Sequence, residues 1–146
     1  MQVYPGTLIR ERERLNALSV TEPKPGNYVF DLGKNFAGIA ELRVEGPEGT
    51  EVRLRYGEIL NADGTIMTEN LRLARATDTY ILKGEGVEVW QPKFTYHGFQ
   101  YVEVSGFPGK PGPDAITGIV LSSTAVDAST FSCSNEMNNI LFRNIR

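Results

Sequence analysis

Five acidic side chains, Asp31, Glu58, Asp63, Glu69 and Asp78, are the candidates for acid–base chemistry in this sequence. Such chemistry asks for two carboxyl groups in different environments, one held protonated at working pH while the other is ionised. A plainer role competes with that one. Asp31 and Asp63 lie among turn residues, where a short carboxylate accepts hydrogen bonds from nearby backbone amides. Glu58 and Asp78 are expected to pair with arginines such as Arg72 or Arg75. His97, the one histidine, sits in a turn before Phe99. A single imidazole does not make a metal site, and the neighbouring acids lack a ligand spacing, so no metal and no cofactor are expected. A hydrogen bond in the turn or at an interface suits His97 better. Gly98 is expected to permit a backbone angle or a close approach that a side chain would block.

Trp90, Phe94, Tyr96, Phe99 and Tyr101 form an aromatic-rich stretch. Rings of this kind stack on the apolar face of a sugar, but they also fill cores and interfaces, and the second use is favoured here. Ser122-Ser123-Thr124 offers hydroxyls without a histidine or acid at a recognised spacing, which argues against a serine nucleophile. Cys133 is the only cysteine, so no internal disulfide or cysteine-based zinc cage can form. It is expected to be a buried structural residue.

The elements that must position these residues read as strands. At 146 residues the chain is long enough for one domain with a real core, and 40% hydrophobic with 23% charged residues is neither a disordered nor a membrane composition. The net charge of -3, with basic residues spread out, gives no footprint for nucleic acid. No apolar run is long enough to span a bilayer, and the first residues do not build a signal peptide. Short β-rich runs recur between Gly, Pro, Asn and Asp, predicting strands over 27–32, 38–45, 50–56, 77–83, 87–90, 98–105 and 116–122. Leu8–Leu15 alternates in charge sign and reads as a solvated strand or helix face.

Ala40, Leu42 and Val44 alternate with charged residues, as do Val52, Leu54 and Tyr56. With Gly46-Pro47-Glu48-Gly49 as a turn between them, the two runs are expected to pair as a hairpin. Val44 falls opposite Val52 in one register, and Arg43 opposite Glu51 in another. Residues 58–76 read as a long loop crossing a sandwich, the sort of segment that carries binding residues on a rigid scaffold. Residues 106–113 force an exposed connection. After Phe131, Ser132 or Ser134 can cap a helix with Met137, Ile140, Leu141 and Ile145 as its apolar stripe. The expected fold is therefore an all-β, jelly-roll-like antiparallel β-sandwich over 1–131. The short helix over 132–146 reads as the truncated start of a following domain.

Three ordered segments carry a family resemblance. They are Phe30-Asp31-Leu32-Gly33-Lys34-Asn35-Phe36-Ala37-Gly38, then Tyr56-Gly57-Glu58-Ile59-Leu60 with Asp63-Gly64, then Phe94 through Val104. In this order they resemble the β-sandwich domain of bacterial alpha-L-rhamnosidases. Phe131 through Arg146 is similar to the start of the helical catalytic barrel that follows it. The resemblance implies a parent protein that releases terminal alpha-L-rhamnose with inversion, a reaction whose two carboxyl groups stand about 6.5–9.5 Å apart. In the family those groups lie in the barrel, so the resemblance assigns no catalytic residue here. The implied role is an accessory domain that braces the same-chain barrel and shapes its cleft. Glu58, Arg75, Asp78, Trp90, Tyr96 and His97 are the candidate contacts to that barrel or to rhamnose-containing glycans. A free-standing carbohydrate-binding module is the first alternative, and a pure interaction domain is the second.

Overall fold

The computed structural model describes residues 6–123 and 129–145; Thr124 of the hydroxyl run and Arg146 lie outside the described residues. Eight strands are present among the described residues: β1 (Arg10–Asn16), β2 (Ser19–Lys24), β3 (Asn27–Glu45), β4 (Glu51–Gly57), β5 (Thr77–Ile81), β6 (Val87–Trp90), β7 (His97–Ser105) and β8 (Ile116–Ser122). Every pairing between them is antiparallel. This is the all-β antiparallel sandwich that the alternating runs predict.

The longest strand makes the architecture. The first part of β3 lies between β2 and β7, in a layer that continues through β4 to β5. Its last part lies between β8 and β6, in a layer that ends at β1. A register shift between Asp31 and Phe36 marks the place where the strand changes layers, as bulges and bends do at sandwich corners. Asp31 Oδ1 caps that bulge, accepting from the Gly33 amide at 2.7 Å and from Gln100 Nε2 at 3.0 Å. Gly38 then pairs with His97 on one side and Val120 on the other. A Cβ there would collide with the Ile119 carbonyl oxygen, so the crossing needs glycine.

Both layers feed one core. Phe30, Leu54, Tyr56, Val102 and Val104 from the first layer meet Ala40, Leu42, Val44 and Ile116 from the second, all with at most 2% of their surface exposed. The alternation thus identifies the buried face, and the expected hairpin still does not form. Val44 pairs with Glu88 on β6, while Val52 pairs with Tyr80 on β5. Neither proposed register exists, because the turn carries the chain from one layer to the other. Its local chemistry is as expected: Gly49 has φ +81° and the Thr50 amide reaches the Pro47 carbonyl at 3.2 Å. Period two says which way a side chain points and nothing about which strand lies beside it.

The edges are charged. Among the described residues β1 pairs only with β8, and its exposed residues reach neighbours through Arg14 to Glu41 at 2.5 Å and Glu13 to Lys34 at 2.6 Å. Charge on an edge discourages pairing with another chain. β2, which the sequence reading did not anticipate, tolerates Pro23 because it too is an edge strand. Ile9–Ser122 forms one compact unit. In the other unit, α1 (Glu136–Asn144) is capped by Asn135, whose side chain accepts from the Met137 amide at 3.0 Å, and not by Ser132 or Ser134. Its stripe residues Met137, Ile140, Leu141 and Ile145 are exposed. Cys133 is half-exposed, where burial was expected.

Candidate functional site

At one end of the first layer β4 leaves the sheet after Gly57, while β5 enters at Thr77 and β7 at His97. Tyr56 points inward on β4, fully buried, with its ring stacked on the His97 imidazole at 4.1 Å and tilted against Phe99 at 4.8 Å. A buried phenol needs a hydrogen-bond partner. Asp78 supplies it, accepting from the Tyr56 hydroxyl at 2.8 Å, and the same oxygen lies 3.0 Å from His97 Nε2. Burial, reinforced by the neighbouring Asp78 charge, pushes the Tyr56 hydroxyl pKa far above the usual tyrosine range. The hydroxyl therefore stays protonated and donates to Asp78. The cluster locks the imidazole ring and ties together the ends of three strands.

Glu58 stands beside this cluster. Its Oε1 accepts from Asn35 Nδ2 at 2.9 Å, joining the exit of β4 to the bulged part of β3. The expected pairing of Glu58 and Asp78 with Arg72 or Arg75 is thus replaced by an amide, a phenol and an imidazole. The reason lies in the sheet: Asp78 is on the inward face of β5, opposite Leu54, whereas Arg75 lines the outer face with Arg53 and Arg55. Gly98 also departs from expectation. A Cβ there would sit 3.7 Å from Glu58 Oε1, an ordinary contact, and its φ is not positive.

Asp63 serves its turn as expected. It accepts from the Thr65 amide at 3.0 Å and the Thr65 hydroxyl at 2.6 Å, and those bonds hold its carboxyl below the usual range. Trp90 is half-buried on β6, stacked on Tyr80 at 5.1 Å, and lines an open groove of about 580 Å³ with Val89, Gln91 and Lys93. Tyr96, next to the cluster, is 68% exposed, and Phe94 and Leu73 on the flanking loops are fully exposed. Three non-glycine residues with positive φ, Arg72, Ala76 and Phe94, lie on the same two loops. The structure therefore gathers Glu58, Asp78, Tyr96 and His97 at one end and sets Arg75 and Trp90 apart from them.

Two members of the site were missed in the sequence. Tyr56 reads as a core residue of an alternating strand, and Asn35 falls between two expected strands. The available signal for Tyr56 was its own hydroxyl, which at a core position has to find an acceptor. Among the described residues no group of three or more His, Cys, Asp or Glu side chains is placed to hold a metal ion. No described helix is long and apolar enough to cross a membrane.

Residues 21–122 match the family described as the bacterial alpha-L-rhamnosidase concanavalin-like domain. The chain belongs to that family. An alpha-L-rhamnosidase of Streptomyces avermitilis is 54% identical over 137 residues, which is 94% of this chain and 13% of that relative. One from Formosa agariphila is 41% identical over 80% of this chain and 13% of its own length. The crystal structure of the Streptomyces avermitilis alpha-L-rhamnosidase complexed with L-rhamnose superimposes with a TM-score of 0.90 at 53% identity. The match covers 96% of this chain and 14% of that one. The chain thus corresponds to one small sandwich within much longer rhamnosidases, and the Tyr56–Asp78–His97 cluster lies inside the matched segment.

Proposed function

We propose that this concanavalin-like domain is an accessory part of an alpha-L-rhamnosidase, bracing the catalytic region of the same chain, whose reaction is release of terminal alpha-L-rhamnose. The observation that carries the reading is the end of the first layer. A cluster of Tyr56, Asp78 and His97 holds the strand ends into which the loops bearing Tyr96, Phe94 and Leu73 run, and these three offer large apolar surface to the outside. Apolar side chains set on a stiff support are what a docking face between domains requires. Asp78, the acid of this cluster, already receives two partners on one oxygen. It therefore serves better as a structural post than as a proton donor to a substrate.

The test has two arms. The 146-residue chain should not hydrolyse a chromogenic rhamnoside, whereas a longer rhamnosidase chain containing it should. In the longer chain, joint substitution F94S and Y96S should lower the melting temperature of the catalytic region while leaving that of the 146-residue chain unchanged. Turnover by the 146-residue chain would reject the accessory role. An unaltered melting temperature in the longer chain would reject this end as the docking face.

A further inference from the structure

A second surface lies on the opposite face of the first layer. The register places Asn27, Ser105, Arg53 and Thr79 in one row across β3, β7, β4 and β5, with Glu103, Arg55 and Thr77 in the next. Alternation turns these side chains away from the core, and with Arg75 they line a groove of about 540 Å³. Among the described residues its lining contains no apolar side chain. The chain as a whole carries a net charge of -3, so a groove holding three arginines runs against the overall sign.

The carboxylates nearby offset the arginines incompletely. Glu103, only 8% exposed, takes Arg55 Nη2 at 3.1 Å. Glu51 takes Arg53 Nη2 at 2.8 Å, with both side chains more than half exposed, and an ion pair that wet is easily exchanged for another anion. Arg75 adds a third guanidinium at the mouth. Arg55 Nε is buried and has no hydrogen-bond partner among the described residues. Guanidinium groups match planar carboxylates through paired parallel hydrogen bonds, and Arg53 and Arg55 stand about 7 Å apart along one strand face. The hydroxyls of Thr77 and Thr79 on β5 to one side of them, and the Ser105 hydroxyl and Asn27 amide on β7 and β3 to the other, both donate and accept, as sugar hydroxyls require.

We infer that this outer groove is a binding site for a uronate-bearing oligosaccharide, its carboxylates held by Arg53 and Arg75 and its hydroxyls by the threonine, serine and asparagine rows. An acidic peptide is the poorer match, because peptide grooves supply apolar pockets for side chains and this lining has none. The site does not depend on the bracing role, and it lies on the other face of the layer from the Tyr56 cluster.

The test is a titration of the isotope-labelled 146-residue chain with trigalacturonate, with the fully methyl-esterified trimer, and with tetraglutamate, each followed by amide chemical shifts. Trigalacturonate should move the amides of residues 53–55, 75–79 and 103–105 and saturate in the millimolar range or below. The neutral ester and the peptide should leave them in place. R53Q and R75Q should each weaken trigalacturonate binding about tenfold, the effect of losing one charge-assisted hydrogen-bonded contact, with melting temperatures unchanged. The inference is overturned by an absence of shifts with trigalacturonate, by equal shifts with the ester or the peptide, by shifts confined to other surfaces, or by unaltered affinity in both variants.

Discussion

Removing the Tyr56 hydroxyl tests whether the Tyr56–Asp78–His97 cluster is a structural post. In Y56F the ring stays, so its stack on His97 at 4.1 Å and its contact with Phe99 at 4.8 Å persist and no cavity opens. What is lost is one hydrogen bond to a carboxylate at 2.8 Å. Bonds to charged groups are worth about 1.5–3 kcal/mol. Asp78 keeps His97 at 3.0 Å and is 15% exposed, enough for water to replace the phenol in part. The expected cost is therefore near the lower bound, about 1.5 kcal/mol. For a domain of this size that lowers the melting temperature by about 3–6 °C.

The assay is urea unfolding at neutral pH followed by circular dichroism, with equal slopes required of wild type and variant. A second background sharpens the result. In D78A the phenol has lost its acceptor and is itself a buried unsatisfied group, so Y56F made there should be neutral or stabilising. A change of sign between the two backgrounds is the signature of a shared bond. If Y56F costs less than about 0.5 kcal/mol, or the same in both backgrounds, the cluster does not support this end of the sheet.

Glycine positions separate the two glycines that flank His97 in space. G38A should fail to fold or lose several kcal/mol, on the order of 3 or more, because its Cβ meets the backbone oxygen of Ile119; G98A should lie within about 0.5 kcal/mol of wild type, and equal losses would contradict the layer crossing. Glu88 accepts from the Tyr80 hydroxyl at 2.5 Å and from the amides of Lys83 and Gly84, and the Tyr80 bond leads in lowering its carboxyl from 4.5. A lowered folded pKa gives stability that is present above the unfolded value and lost as pH falls through the folded one, so E88Q should flatten the acid limb of the stability curve below pH 4.5, and an unchanged limb refutes the assignment. Phe94 has φ +60° and is fully exposed; F94G relieves about 1–2 kcal/mol of left-handed strain against about 0.4–1 kcal/mol of added chain entropy. The 146-residue chain should therefore unfold at slightly higher urea, and a lower midpoint refutes the strain.

The core was legible where alternation was clean. Ala40, Leu42, Val44, Val52, Leu54 and Tyr56 all read as inward-facing, and all are buried. Their neighbours were not legible, since pairing depends on which layer a strand joins, and the crossing at 31–38 hides in residues that look like a loop. Gly33, Lys34 and Asn35 break the apolar pattern, yet the strand runs through them as a bulge. β2 was invisible because Pro23 and a short polar run describe an edge strand and a loop equally well. At the site, Asp78 and His97 were singled out by residue type. Their contact was not predictable, because 19 residues and one β-strand separate them and only the sheet brings them to 3.0 Å.

The strained loops favour this end of the layer for the proposed docking face. A bulky residue in the left-handed region costs about 1–3 kcal/mol, and burial of the side chain is the usual compensation. Phe94 has the cost without the burial, and Arg72 carries a positive φ on an exposed side chain on the neighbouring loop. The two loops hold these conformations because their anchors are stiff: Pro92 is buried on one side, His97 is pinned to Asp78 on the other, and the Ala76 carbonyl accepts from the Tyr56 amide at 2.9 Å. The cluster thus anchors loops whose Leu73, Phe94 and Tyr96 side chains stay exposed instead of joining the core. That arrangement makes physical sense if the exposed rings gain their burial against another surface, and the bracing role supplies one. The outer groove follows a different rule. Arg53 and Arg55 rest on regular strand backbone and need no strained support, and only Arg75, beside Ala76 with its positive φ, comes from the loop.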